Sequence, residues 1–155
     1  MFRVLQIDHV ELFVPDRYEA ARWYDHVLGL RVVPEFEMWA TGGGPLMVSS
    51  EEGGTKLALF EGQPDTPAGR NSGFHRVAFR VSADGFLAFL DRLPDLRLSD
   101  ARARDVTAES VVDHQKAYSI YFVDPYGHLL EVTTYEYEPT RLGLARLQPA
   151  RNVSS

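Results

Sequence analysis

From Val4 to Val14 apolar and polar residues alternate, with Ile7, His9, Glu11 and Phe13 on one face and Val10, Leu12 and Val14 on the other. A period of two is that of a β-strand, and apolar residues on both faces predict a strand covered on both sides. After Pro15 the period changes. Asp16 stands three residues before Glu19, the spacing of a capping box with Asp as the cap, and Ala20, Trp23, Tyr24, Val27 and Leu28 follow at i, i+3, i+4, i+7 and i+8. That is the apolar stripe of a helix, and Gly29 stops it. Leu30 to Ala40, Leu46 to Ser50 and Thr55 to Glu61 then read as three strands, separated by Gly-rich turns at 41–45 and 51–54. The first unit, about residues 4–61, is βαβββ.

Residues 62–72 are rich in Gly, Pro, Asp and Asn and form a linker by composition. The pattern then restarts over about 73–137. Phe74 to Val81 is a strand carrying His75 near its start, and Phe86, Phe89, Leu90 and Leu93 give a short helix ended by Pro94. A shift of sixty-six residues places His9 on His75 and Ala20, Trp23, Tyr24 and Val27 on Phe86, Phe89, Leu90 and Leu93. Leu96 to about Val106, Val111 to Val123 and His128 to Tyr137 supply the remaining strands. Self-similarity at a fixed offset is the signature of a duplicated supersecondary unit. The expectation is an α+β domain over 1–138 of two tandem βαβββ modules, followed by a C-terminal tail at 139–155.

Composition narrows the function. At 155 residues the chain has ordinary apolar and charged fractions for one domain with a real core. A net charge of −6, without any Lys/Arg-rich stripe, argues against nucleic acid and anionic membrane surfaces and leaves a small-molecule partner. No cysteine is present, which excludes disulfides and thiolate chemistry and leaves His and carboxylate as metal ligands. The start of the chain lacks a signal-peptide core and no apolar run reaches spanning length, so the expected location is cytoplasmic.

The chemistry concentrates in VDHQKAYSIYFVDPYGHLLE, residues 112–131. Asp124-Pro125-Tyr126-Gly127 is a tight turn between two strands, and Glu131 lies within an apolar run, where a lone carboxylate is too costly to bury and wants a cation. Equivalent strands carrying His9 and His75 can bring two imidazoles to the axis relating the modules, where Glu131 joins them. Two neutral imidazoles and a carboxylate make a facial triad with open positions, suited to non-haem Fe(II), with Mn(II), Zn(II) and Ni(II) as the alternatives.

The chain resembles the vicinal oxygen chelate superfamily of glyoxalases, bleomycin-resistance proteins and extradiol dioxygenases. The resemblance covers about residues 4–137 and is carried by IDHVELFV, WYDHVLGL, GFHRVAFRV and YFVDPYGHLLEV. It implies that the two βαβββ modules form a cupped, half-open sheet around a metal site, with His9, His75 and Glu131 as metal ligands. It is sharpest toward the type I extradiol ring-cleavage dioxygenases, whose signature is matched by Val112 and His114, Ile120-Tyr121, Asp124-Pro125, Gly127 and Glu131. In that family the counterparts of His114 and Tyr121 hydrogen-bond the substrate oxygens over the metal. Neutral His and Tyr supply such donors to a chelated catechol without adding a competing charge.

Three departures qualify the match. A further carboxylate of glyoxalase I enzymes would fall at Ala58, and Lys56 stands where ring-cleaving enzymes carry an acid-base histidine. Glu11, on the face of His9, is the third: a base beside the metal, an orienter of an imidazole, or an ion-pair partner of Lys56. Rival readings are a fosfomycin-type thiol transferase, an isomerase or epimerase using Glu11 as base, and a metal-free antibiotic-sequestering protein. Relatives pair their modules across a dimer, so a homodimer is expected.

Overall fold

The computed structural model describes residues 7–62 and 76–147. The chain divides into two compact units, Met1–Arg70 and Asn71–Ser155. In the first, β1 (Val10–Val14), α1 (Arg17–Leu28), β2 (Arg31–Val32), α2 (Glu37–Thr41), β3 (Leu46–Ser49) and β4 (Lys56–Glu61) form an open four-stranded sheet in the order β1-β4-β3-β2. β1 runs parallel to β4 and the other pairs are antiparallel. Helix α1 begins as expected, with the Asp16 carboxylate accepting from the Tyr18 and Glu19 N–H groups, and ends at Gly29 with φ 69°. It buries Ala20, Ala21, Tyr24 and Val27 on the sheet face that carries Leu12, Val14, Leu57 and Leu59. The opposite face carries Glu11, Phe13, Ala58 and Phe60, and Phe13 stacks on Phe60 with ring centroids 5.6 Å apart.

The second unit repeats this plan with β5 (Val77–Arg80), α3 (Ala83–Leu96), β6 (Val112–Asp113), β7 (Tyr118–Val123), β8 (Leu129–Thr134) and α4 (Tyr137–Leu147). Its open sheet has the order β5-β8-β7-β6, with β5 and β8 parallel. Phe86, Phe89, Leu90 and Leu93 are buried along α3, and Phe89 meets Phe122 of β7 at 5.7 Å. The turn between β7 and β8 is held by Asp124, which is 2% exposed. Its Oδ1 accepts from the Tyr126 and His128 N–H groups and its Oδ2 meets His128 Nδ1 at 2.6 Å. Gly127 takes the positive φ, 93°, that the turn requires.

Several strands expected from the sequence take other forms. Only Arg31–Val32 of the 30–40 stretch is strand; Pro34, without an N–H to give a ladder, opens a 3-10 turn at Pro34–Phe36 that runs into α2. The 96–106 stretch contributes an isolated Ser99–Asp105 bridge, because Arg97 and Ala103 have positive φ and the Asp100 carboxylate takes up the Arg102 and Arg104 N–H groups. The third strand of the second sheet is β6 instead, separated from β7 by a turn in which Gln115 has φ 68°. Pro94 lies inside α3, which continues to Leu96. Residues 139–147, expected as tail, belong to α4, which packs on α3, with Thr140 fully buried and Gly143 in close approach to the Leu87 side chain.

Candidate functional site

In the first unit the functional side chains gather at the start of β1. His9 Nδ1 lies 2.8 Å from Asp8 Oδ2, and Lys56 Nζ lies 2.6 Å from Asp8 Oδ1. Lys56 heads β4, which runs parallel beside β1, so the register delivers its ammonium to the Asp8 carboxylate. That carboxyl is held below its ordinary value of 3.8, first by the Lys56 hydrogen bond and then by that of His9. Its negative charge thus persists across the neutral range, where it can accept from Nδ1–H and leave the unprotonated Nε2 with its lone pair for a cation. Glu11 Oε1 is 3.8 Å from His9 Nε2, beyond hydrogen-bond length, and Lys56 is engaged by Asp8 instead of Glu11. Asp8 is thus a member that sequence reasoning missed; its adjacency to His9 was the available signal.

In the second unit His114 Nε2 lies 2.8 Å from the Tyr121 hydroxyl. His114 follows the short edge strand β6, and Tyr121 on β7 stands directly across from Glu131 on β8. Glu131 in turn neighbours Ala78 on β5. The three side chains therefore share the face of this sheet that α3 and α4 leave uncovered. Glu131 is half-buried and, among the described residues, makes no ion pair or hydrogen bond. The Arg76 guanidinium lies over the Tyr121 ring, 4.5 Å from its centroid. Beside this group Asp113 accepts from the Tyr137 hydroxyl at 2.8 Å and Tyr137 stacks on Tyr118. Hydrogen bonds with Tyr118 and then with Asp113 push the Tyr137 phenol up, while the Gln115 N–H and then the Tyr137 hydroxyl hold the Asp113 carboxyl down.

Helices and strands repeat at different offsets. The helix caps Asp16 and Ser82 are sixty-six residues apart, whereas Val10 of the Val10–Leu57 pair and Val77 of the Val77–Leu130 pair are sixty-seven apart. On that register Ala58 corresponds to Glu131, as expected from the sequence, and Glu11 corresponds to Ala78. Each sheet carries one carboxylate at this level, the first on its first strand and the second on its last. The residue that precedes Val77 as His9 precedes Val10 is Arg76. His75 lies outside the described residues. Among the described residues no three His, Asp or Glu side chains come together as a metal-holding group. The donor chemistry of His9, with Asp8 behind it, and of Glu131 fits a divalent cation; a guanidinium at position 76 does not.

The family model for the Glyoxalase/Bleomycin resistance protein/Dioxygenase superfamily matches residues 6–132. The chain belongs to this superfamily. No curated protein matches the chain significantly. Among solved structures, Oxidase ChaP-H2 is similar at 24% identity and a TM-score of 0.62, over 89% of this chain and 99% of that one. A glyoxalase/dioxygenase from Nostoc punctiforme shares 20% identity at a TM-score of 0.56, over 84% of this chain and 91% of that one. The fosfomycin resistance protein FosX from Listeria monocytogenes, solved with Mn(II) and sulfate, shares 15% identity at a TM-score of 0.57, over 94% of this chain and 100% of that one. At these identities the likeness is one of fold. Among the described residues no helix is long and apolar enough to cross a membrane.

Proposed function

We propose that the protein is a metal-dependent oxygenase of the superfamily, acting on a catechol-type aromatic by extradiol ring cleavage. The observation that carries this reading is the 2.8 Å contact between His114 Nε2 and the Tyr121 hydroxyl, on the sheet face that presents Glu131. A histidine and a phenol in contact hold one proton between them, so the pair can give a hydrogen bond to a substrate oxygen or take its proton as charge develops there. Rigidity helps, since Tyr121 sits mid-strand on β7 between Ile120 and Phe122, both buried. The ligand set in this reading is His9 and Glu131, with Asp8 fixing the tautomer of His9, and His75 as the third ligand on the sequence resemblance alone, since the strand register puts Arg76 at the position equivalent to His9. Fe(II) is the first choice. When bound, such an ion supplies Lewis-acid activation of vicinal oxygens and redox capacity toward O2. Lys56, held by Asp8, serves to set the charge around His9.

Anaerobic Fe(II) loading followed by a panel of catechols in air tests the proposal. Oxygen uptake with a visible absorbance from a ring-opened product supports it. A protein that takes up iron and consumes no oxygen with any catechol sinks it, and Glu11 as the base of an isomerase is then the reading to test.

A further inference from the structure

Arg76 is the residue in the second unit whose chemistry the metal reading leaves unused. It is exposed, it precedes Val77 on β5, and it stands where the first unit has His9. Its guanidinium carbon lies over the Tyr121 ring, 4.5 Å from the centroid, which places it on the same sheet face as Glu131 and His114. Among the described residues no carboxylate lies within 4.0 Å of it, although Glu131 is presented on the same face. A guanidinium held over an aromatic ring by its charge still has five N–H donors, and without a carboxylate partner its fork can meet one bidentately. Ala78, two residues further along the same face, is small and exposed, so the strand beside the fork is open. A cation held over an aromatic ring, beside a phenol that already has a hydrogen-bond partner, is a recognition element for an anion.

We propose that Arg76 forms a subsite for an anionic substituent, a carboxylate on the aromatic substrate, with the Tyr121 ring as the platform that fixes its guanidinium. The substrate class is then a carboxylated catechol, which rests on the ring-cleavage reading above, while the anion subsite itself stands on the Arg76–Tyr121 geometry.

The test is calorimetric titration of the full chain with 3,4-dihydroxybenzoate, catechol and benzoate, for wild type, Arg76→Gln, Arg76→Lys and Tyr121→Phe, under anaerobic conditions. Wild type is expected to bind 3,4-dihydroxybenzoate about 10- to 100-fold more tightly than catechol, the range of a charge-assisted hydrogen-bonded pair. Arg76→Gln abolishes that preference, Arg76→Lys keeps part of it because a point charge replaces the fork, and Tyr121→Phe keeps it because the ring face persists. Equal affinities in wild type, an undiminished preference in Arg76→Gln, or no binding of either carboxylate would overturn the subsite. The two proposals fail separately. Arg76-dependent binding of carboxylates without oxygen uptake from any catechol removes ring cleavage and leaves the subsite. Oxygen uptake with plain catechol and no carboxylate preference does the reverse.

Discussion

The Asp8 carboxylate joins His9 to Lys56, its Oδ2 lying 2.8 Å from the imidazole Nδ1 while its other oxygen holds the ammonium. In the metal reading Asp8 is the residue that keeps His9 Nε2 available as a donor. Asp8→Asn is therefore expected to weaken divalent-metal binding about 10- to 100-fold, the usual cost of removing such a partner. Competition titration of Mn(II) against a chelating indicator measures it, beside His9→Ala and Glu131→Ala, which should lose the metal. Unchanged affinity in Asp8→Asn would reduce Asp8 to a surface ion pair.

His114 and Tyr121 should separate binding from turnover. Neither belongs to the ligand set, so His114→Ala and Tyr121→Phe are expected to retain metal while turnover falls about 10²- to 10⁴-fold, the range for a positioned hydrogen-bonding or proton-transfer group. Elemental analysis and steady-state rates on the same preparations give both quantities. Loss of metal from either variant would count against the roles assigned.

The core of the second unit has a measurable centre in Phe122, which is 1% exposed and packs on Phe89. Phe122→Ala is expected to cost about 3–5 kcal/mol in urea or guanidinium unfolding, from lost burial and the cavity left behind. Trp39, 43% exposed and stacked on Phe36, should cost far less when truncated. Equal losses for the two would mean that the aromatic pair of α2 carries unit stability after all.

Acid should act on the loop at Asp100. Its carboxyl is lowered from 3.8 to about 2, chiefly by the Arg104 backbone N–H and then by the Arg104 side chain. A depressed folded-state value contributes stability that is present above pH of about 4 and is lost as pH falls toward 2. Asp100→Ala should flatten that part of an acid unfolding curve followed by circular dichroism and leave the curve above pH 5 unchanged in shape. An identical acid limb in both proteins would show that the loop does not report on folding.

Assembly follows from the sequence resemblance, which implies a homodimer. Light scattering at micromolar concentration should return twice the chain mass of 17.5 kDa, and a monomer mass removes the expectation.

How far the sequence was legible depended on the range of the interactions involved. The helices were readable because caps and stripes are local: Asp16 and Gly29 bound α1 where their chemistry says they should, and the Asp124 turn closes through its own side chain. The short strands were not, since a two-residue strand such as β2 or β6 exists only through its partner. Pro94 misled because a proline near a helix end costs one backbone bond while the buried Leu90 and Leu93 continue to favour the helix. His114 and Tyr121 are seven apart in the chain and meet because β6 and β7 are antiparallel neighbours. Arg76 was passed over because an offset taken from the helices hides the one-residue difference in the strands, and in a strand one residue exchanges the two faces.

The parallel pairing of each sheet's first strand with its last fixes an order of events in folding. Among the described residues β1 pairs with β4 and β5 with β8, so neither opening strand has its ladder partner within its unit until nearly the whole of that unit has emerged from the ribosome. Such distant closures are slow, and they leave the nascent Val10–Val14 segment dependent on its own composition to stay unpaired with other chains. Glu11 in the middle of that segment, whatever its part in chemistry, places a charge inside an otherwise apolar VELFV strand and so discourages wrong partners during synthesis.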